Sequence, residues 1–301
     1  MPLIVIPDDA PPVLSPSDAV ALLNDHDHRI FTTLPSTAGE LVQRIARAEA
    51  VINIRASTRF TADVLARCPR LRVISIWGTG TDHVDLDAAT ARGIAVTNTP
   101  GVSAVAVAEH TLSLIFAVAR QTVRIDRAVR AGEWPRGMVT QLRGKTLGII
   151  GTGAIGREVA RLGAGIGMPV VAWSFHPREG YASVTLDDLF RRADVVSVHV
   201  RQSPETLGMI RAAHFALMKP GAIFINTARG RIVVEQDLVD ALRTERIAGA
   251  GLDVFETEPL PAESPLRLLQ NVVLSPHAAG ITREATEEGL AMAIGNVLRA
   301  L

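Results

Sequence analysis

Two hydrophobic periods alternate along the chain. Short, mainly apolar runs at Leu3–Ile6, Ala50–Ile54 and Val73–Ile76 read as strands buried on both faces of a parallel sheet. Leu41, Ile45 and Ala48 recur at helical spacing between the first two and predict a helix lying on that sheet. This first βα block ends near Asn98-Thr99-Pro100-Gly101. A longer helical pattern then runs from Ser103 to about Arg130, apolar at Val105, Ala108, Leu112, Ile115 and Ala119. Its small residues suit packing against a second subunit, and equally burial within one.

The alternation restarts more strongly after that helix. Strands are predicted at Thr146–Ile150, Val170–Trp173, Val195–Val200, Ala222–Asn226, Gly249–Val254 and Val272–Leu274. Helices fall between them at Ala154–Ile166, Leu186–Arg192, Arg211–Met218 and Glu235–Arg243. A last helix, Thr282 to Leu301, carries Leu290, Ile294 and Val297 in register. A β-α-β-α-β order with short loops predicts a parallel doubly wound sheet, because right-handed crossovers cover both faces.

One βα junction carries candidate chemistry. Gly151-Thr152-Gly153-Ala154-Ile155-Gly156 follows a strand directly and opens a helix, the context in which a glycine-rich turn binds a dinucleotide. Gly151 permits the tight turn, Gly153 lets a pyrophosphate approach the backbone, and Gly156 lets helix and strand pack closely. The helix N-terminus adds amide donors. The bland alternative is a glycine-rich turn with no ligand. The fingerprint also expects an acid at the end of the next strand, to hold the ribose hydroxyls. That strand ends Ala172-Trp173-Ser174-Phe175-His176-Pro177-Arg178, with Ser174 in the acid's place.

Three further segments fall at strand ends: Asn226-Thr227-Ala228-Arg229-Gly230, Asp253-Val254-Phe255-Glu256-Thr257-Glu258-Pro259, and Ser275-Pro276-His277-Ala278-Ala279-Gly280. Ligands of doubly wound sheets bind beyond the carboxyl ends of strands. Arg229 can hold a carboxylate or carbonyl through its planar fork. His277 can give or take a proton, and a neighbouring carboxylate such as Glu258 favours its protonated form. Taken singly, the three read as a surface cation, a turn carboxylate and a satisfied histidine.

Together the segments are similar to those of the D-isomer-specific 2-hydroxyacid dehydrogenase family. Arg55-Ala56-Ser57-Thr58, Gly78-Thr79-Gly80-Thr81-Asp82 and Val107-Ala108-Glu109-His110 extend the resemblance over nearly the whole chain. It implies an α/β fold of two Rossmann-like domains, flavodoxin-like plus doubly wound. Residues 1–97 and 281–301 would form a discontinuous substrate domain that closes over an inserted NAD(P)-binding domain, 98–280. It also implies catalytic roles for Arg229, Glu258 and His277, and a substrate wall of Arg55, Trp77, Gly78 and Thr79. The cofactor contacts implied are Gly151, Gly153, Ala154, Ile155, Gly156, Ser174, His176, Arg178, Arg201, Thr227, Ala228, Asp253 and Gly280. The expected reaction interconverts a small 2-keto acid and a D-2-hydroxy acid, in the manner of glyoxylate/hydroxypyruvate reductases. A nucleotide-sensing protein on the same scaffold, without turnover, is the alternative. A homodimer is expected from the family and from the 103–130 helix.

Departures from the family pattern shape the reading. Ala56 replaces a common serine, and Arg201 stands where relatives usually carry proline. Glu258, where formate dehydrogenases place glutamine, argues against that activity. Thr79, where phosphite dehydrogenases carry lysine, argues against theirs. Ser174 carries no charge to repel a 2′-phosphate, and His176, Arg178 and Arg201 offer positive partners. Phe175, where NADP-using relatives place arginine, weighs the other way. The balance tips slightly to NADP(H) over NAD(H).

Charge and composition narrow the partners. Lys plus Arg and Asp plus Glu are equal at 31 each, which argues against nucleic acid as a partner. The apolar stretch Val102–Ala119 is interrupted by Glu109 and His110, and the N-terminus has no basic leader, so no membrane contact and a cytoplasmic location are expected. With the sequence ending at Leu301, the C-terminal regulatory domain of long phosphoglycerate dehydrogenases is expected to be absent. No metal is expected: Asn24-Asp25-His26-Asp27-His28 reads as a solvated loop, and Asp82, His83, Asp85 and Asp87 have Thr90 where a calcium loop needs glycine. The single cysteine, Cys68, excludes an internal disulfide and reads as an inert thiol. His199 reads as structural or cofactor-adjacent. Trp77 reads equally as pocket lining or as a cap on the first core.

Overall fold

A computed structural model describes residues 1–177 and 181–301. The chain divides into two compact units, Met1–Ser103 with Ile281–Leu301, and Ala104–Gly280. Asn98 lies inside the first unit, short of the division. Its carbonyl accepts from Asn296 Nδ2 at 3.2 Å, and its own Nδ2 donates to the Thr79 carbonyl at 2.8 Å.

In the first unit, strands β1 (Ile4–Ile6), β2 (His28–Ile30), β3 (Ala50–Asn53), β4 (Val73–Ile76) and β5 (Ala95–Thr97) form a wholly parallel sheet. Their order is β2-β1-β3-β4-β5, the flavodoxin-like arrangement. Successive residues face opposite sides, so one apolar run feeds two cores. Val5, Val51 and Ile74 pack with Leu41, Val42 and Ile45 of the Ala38–Ile45 helix. Ile4, Ile6, Ile52 and Val73 pack instead with Leu290, Ile294 and Val297 of the C-terminal helix Arg283–Ala300. That helix starts where the Thr282 hydroxyl accepts from the Ala285 amide at 3.2 Å, an N-cap. Its apolar face is why residues 281–301 rejoin the N-terminal third. The expected loop at 24–28 is corrected at its end: His28 begins β2 and pairs with Ile4.

In the second unit, strands β6 (Leu147–Ile150), β7 (Val170–Trp173), β8 (Ala182–Ser183), β9 (Val195–Val198), β10 (Ile223–Asn226), β11 (Gly249–Leu252) and β12 (Val272–Leu274) form another parallel sheet. The order β12-β11-β10-β9-β6-β7-β8 is doubly wound, with its switch point between β6 and β9. The long helix expected at 103–130 is two helices, Ala104–Ala119 and Thr122–Arg130, divided at Gln121 with φ 51°. The Ala119 carbonyl accepts from the Thr140 amide at 2.9 Å, so the last turn is satisfied from outside the helix. Its small-residue face is used within the unit. Gly251 has so little space that an added Cβ would come within 2.8 Å of Leu114 Cβ, and Ala108, Leu114, Ile115 and Ala119 join the core there. Val105, expected on that face, is 55% exposed.

Packing is very close at Gly156, where a Cβ would lie 1.9 Å from the Gly151 carbonyl oxygen. Gly156→Ala is expected to cost about 1–3 kcal/mol, because rigid backbone must move. Gly165 lies in the same helix, and an added methyl there meets nothing within 4 Å. Gly165→Ala is expected to stabilise by about 0.5–1 kcal/mol. Urea midpoints of the two variants check the contrast.

Candidate active site

The glycine-rich turn at the end of β6 is built for a close ligand. Gly151 sits at φ 102°, and a Cβ there would come within 2.8 Å of the His199 carbonyl; that conformation is costly for a side-chain-bearing residue. Gly153 begins the Ala154–Gly165 helix, and around its Cβ position there is nothing within 4 Å. The space beside Gly153, at the start of the helix, is open, which fits a dinucleotide pyrophosphate. Ala154 and Ile155 supply the first turn of that helix.

Beyond β7, the Ser174 hydroxyl accepts from the His176 amide at 3.4 Å, which turns the exposed His176 back beside Ser174. Phe175 packs edge-on against Trp173, ring centroids 4.8 Å apart. Arg178, expected here as a phosphate partner, lies outside the described residues. Arg201 is exposed, and its carbonyl accepts from the Thr206 hydroxyl at 2.9 Å. His199 sits at the switch point. Its Nε2 pairs with Ser197 Oγ at 2.8 Å, and burial pushes the imidazole down to about 3, so the ring is neutral.

Beyond β10, Asn226 shapes the arginine loop by accepting from the Ala228 amide at 3.0 Å and donating to the Arg229 carbonyl at 2.9 Å. Thr227 Oγ1 lies 2.9 Å from Thr111 Oγ1, whose own proton goes to the Val107 carbonyl at 2.7 Å. Thr227 therefore donates, and its side chain is tied to the Ala104–Ala119 helix. Gly230 fastens the loop to the segment after β11, since a Cβ would lie 1.9 Å from the Phe255 carbonyl carbon. The Arg229 guanidinium donates through Nη1 to the Ala228 carbonyl at 2.8 Å.

Glu258 and His277 meet. Glu258 Oε1 accepts from the Phe255 amide at 3.0 Å, and Oε2 lies 2.6 Å from His277 Nδ1. A carboxylate only accepts, so Nδ1 carries a proton and Nε2 is the nitrogen left for exchange. Burial pushes the Glu258 carboxyl up, but the hydrogen bond and charge of His277, the Phe255 amide and the Arg229 charge outweigh it. The group is held below the usual carboxylate range.

Asp253, expected at the nicotinamide, has a structural task that sequence reasoning missed. It is 1% exposed. Oδ1 accepts from Ser275 Oγ at 2.6 Å and from the Ala278 amide at 2.9 Å, and Oδ2 accepts from the Ala279 amide at 2.9 Å. Its carbonyl accepts from the His277 amide at 2.7 Å. The histidine loop is thus bound to the end of β11 on both sides of His277. Gly280 follows in a half-buried turn.

The residues of the expected substrate wall lie in the first unit. The Arg55 guanidinium is half-buried and donates from Nε to the Ala10 carbonyl at 3.0 Å and from Nη2 to the Pro11 carbonyl. Gly78 takes φ 138°, with its amide donating to Thr99 Oγ1 at 2.8 Å, and Thr79 is exposed beside it. Trp77 serves the core: a Cβ on Gly289 would come within 2.5 Å of its Nε1. Cys68 is buried in the same unit, and burial pushes its thiol up to about 11, leaving little thiolate at neutral pH. Among the described residues no cluster of three or more His, Cys, Asp or Glu could hold a metal ion, and no helix is long and apolar enough to cross a membrane.

Residues 112–279 match the profile described as "D-isomer specific 2-hydroxyacid dehydrogenase, NAD binding domain". The chain is 41% identical to a glyoxylate reductase of Aeropyrum pernix over 276 residues, 86% of this chain and 81% of that one. The chain belongs to the D-isomer specific 2-hydroxyacid dehydrogenase family. It is also 41% identical to a D-3-phosphoglycerate dehydrogenase of Archaeoglobus fulgidus over 254 residues, 82% of this chain but 48% of that one. The chain thus spans about half the length of that relative. Among solved structures of the family, a D-lactate dehydrogenase from Aquifex aeolicus, complexed with NAD and lactic acid, superposes with a TM-score of 0.87 at 31% identity, covering 98% of this chain and 94% of that one.

The lowered Glu258 carboxyl has a consequence for stability. A depressed carboxylate contributes stability above its ordinary pKa, and that contribution drains away as pH falls through the lowered value. Glu258→Gln is therefore expected to lose part of the acid-side decline of Tm while leaving the neutral-to-alkaline shape intact. Thermal denaturation across about pH 3 to 8 checks this, since that window spans the ordinary carboxylate range.

Proposed function

We propose that the chain reduces a small 2-keto acid to the D-2-hydroxy acid, with glyoxylate, hydroxypyruvate or a keto acid of similar size as substrate. The observation that carries the reading is the 2.6 Å Glu258–His277 pair, set at strand ends of a doubly wound sheet whose first turn fits a dinucleotide. A bound nicotinamide cofactor supplies the hydride. His277 holds the proton that the carbonyl oxygen needs, presenting it from Nε2 while Glu258 fixes Nδ1. Arg229 orients the keto acid and stabilises negative charge developing on that oxygen. Backbone at Gly78 and Thr79, with Arg55 and Trp77, is assigned to the substrate carboxylate on the strength of the family resemblance.

Cofactor choice belongs to the same reading. Among the described residues the turn at Ser174 offers a hydroxyl and the His176 imidazole but no acid, which supports use of NADP(H) with NAD(H) also accepted. A homodimer is part of it too. No residue of the Thr122–Arg130 helix is buried, and Trp134 and Met138 nearby are 77% and 99% exposed, so a second copy has apolar surface to cover. Sedimentation at micromolar concentration reads the mass, and a monomer would remove this part.

The deciding experiment is a panel of small 2-keto acids with NADH and with NADPH, followed by nicotinamide absorbance. Turnover on at least one acid is expected. His277→Ala is expected to lower kcat by about 10²–10⁴-fold, and Arg229→Ala to lower kcat and raise KM together. Ser174→Asp should raise the NADH-to-NADPH ratio of kcat/KM. Tight nucleotide binding with no turnover on any acid would favour a nucleotide sensor instead.

A further inference from the structure

The position of His277 depends on a side chain outside the three strand-end loops. His277 is one of the few non-glycine residues with positive φ, at 52°. Such a backbone persists only where its surroundings over-determine it. Here the Asp253 carbonyl and carboxylate bind the amides of residues 277, 278 and 279, and Ser275 Oγ donates to Asp253 Oδ1 at 2.6 Å.

The proton count along this chain of contacts fixes its direction. Asp253 Oδ1, accepting from an amide and a hydroxyl at once, requires the Ser275 proton. His110 Nε2 lies 2.9 Å from the same Ser275 oxygen and 3.6 Å from Asp253 Oδ1. With its only proton committed, Ser275 can only accept, so His110 Nε2 is the donor whatever the state of Nδ1. His110 lies in the Ala104–Ala119 helix, whose next residue, Thr111, holds Thr227 in the arginine loop. One turn of helix therefore braces both the histidine loop and the arginine loop.

We propose that His110 is a positioning residue for the acid/base His277, acting through the relay His110 Nε2–H to Ser275 Oγ–H to Asp253. The proposal rests on the reductase reading for its kinetic arm and on geometry alone for its structural arm. Without the His110 donor, Ser275 is free to rotate away from Asp253. The loop then loses one of its ties, and the imidazole samples positions away from Glu258.

The test compares His110→Leu with His110→Gln, since a glutamine amide can still donate to Ser275. In His110→Leu, kcat is expected to fall by about 10- to 100-fold, the range that a small displacement of a reacting group produces. KM for the nicotinamide cofactor should hardly change, and His110→Gln should recover most of the kcat. Amide hydrogen exchange at residues 277–279, followed on the chain without cofactor or substrate, should quicken in His110→Leu and not in His110→Gln. If His110→Leu does not fold, Ser275→Ala cuts the same relay and should show both effects. Wild-type kcat and exchange in the leucine or alanine variant would overturn the proposal, as would a glutamine variant as impaired as the leucine one. A wild-type chain that turns over no 2-keto acid would sink the reductase reading, while the exchange comparison would still decide the relay.

Discussion

A carboxylate with 1% exposure, as at Asp253, has no water to satisfy it, and leaving its charge unpaired in the interior would cost several kcal/mol. Its acceptor sites must be met by protein, and the nearest donors are the Ser275 hydroxyl and the amides of Ala278 and Ala279. Meeting that demand pulls residues 275–279 tightly round the end of β11 and leaves His277, between the bonded residues, in the left-handed region. The side chain of His277 is thereby turned out of the loop toward Glu258. The chemistry of the site thus follows from an electrostatic requirement one residue beyond a strand.

That requirement can be met only because the two sheets leave their strand ends free. Both sheets are parallel throughout, so helices cover the faces and loops gather at the edges of the layers. Glycine then sets how near those loops come. Gly156 brings a helix start against the Gly151 carbonyl, and Gly230 brings the arginine loop onto Phe255. In both places even a methyl group would force backbone apart.

The sequence makes the covered strands legible because burial on two faces keeps them mainly apolar. Val73–Ile76 and Val170–Trp173 have the bounds the pattern predicts, as does the half-buried edge strand Val272–Leu274, whose residues are all apolar. The other three edge strands escape the same reasoning. His28–Ile30, Ala95–Thr97 and Ala182–Ser183 are half-covered or exposed, so they keep polar residues and show no run. The break at Gln121 escapes too, since neither proline nor glycine marks it. Glu258 and His277 could be named as residues, but the clamp on them could not. Asp253 lies directly after a strand and Ser275 two residues before His277, a spacing that hints at a loop tie. Nothing in the sequence places His110, in a helix far along the chain, within reach of Ser275.

Three histidines of the second unit show how partners divide the work. His199 faces a serine hydroxyl inside the protein, and burial pushes it down to about 3, which favours the neutral ring. His110 faces a hydroxyl whose proton is already given to Asp253, so its Nε2 must keep its own proton to hold the contact. His277 alone of the three has a carboxylate hydrogen-bonded to one nitrogen, with its side chain 37% exposed. The carboxylate holds the Nδ1 proton, and exposure gives the ring a route for exchange through Nε2. An acid/base needs both conditions, because a proton must be held between events and released during one. Of the three, only His277 meets them.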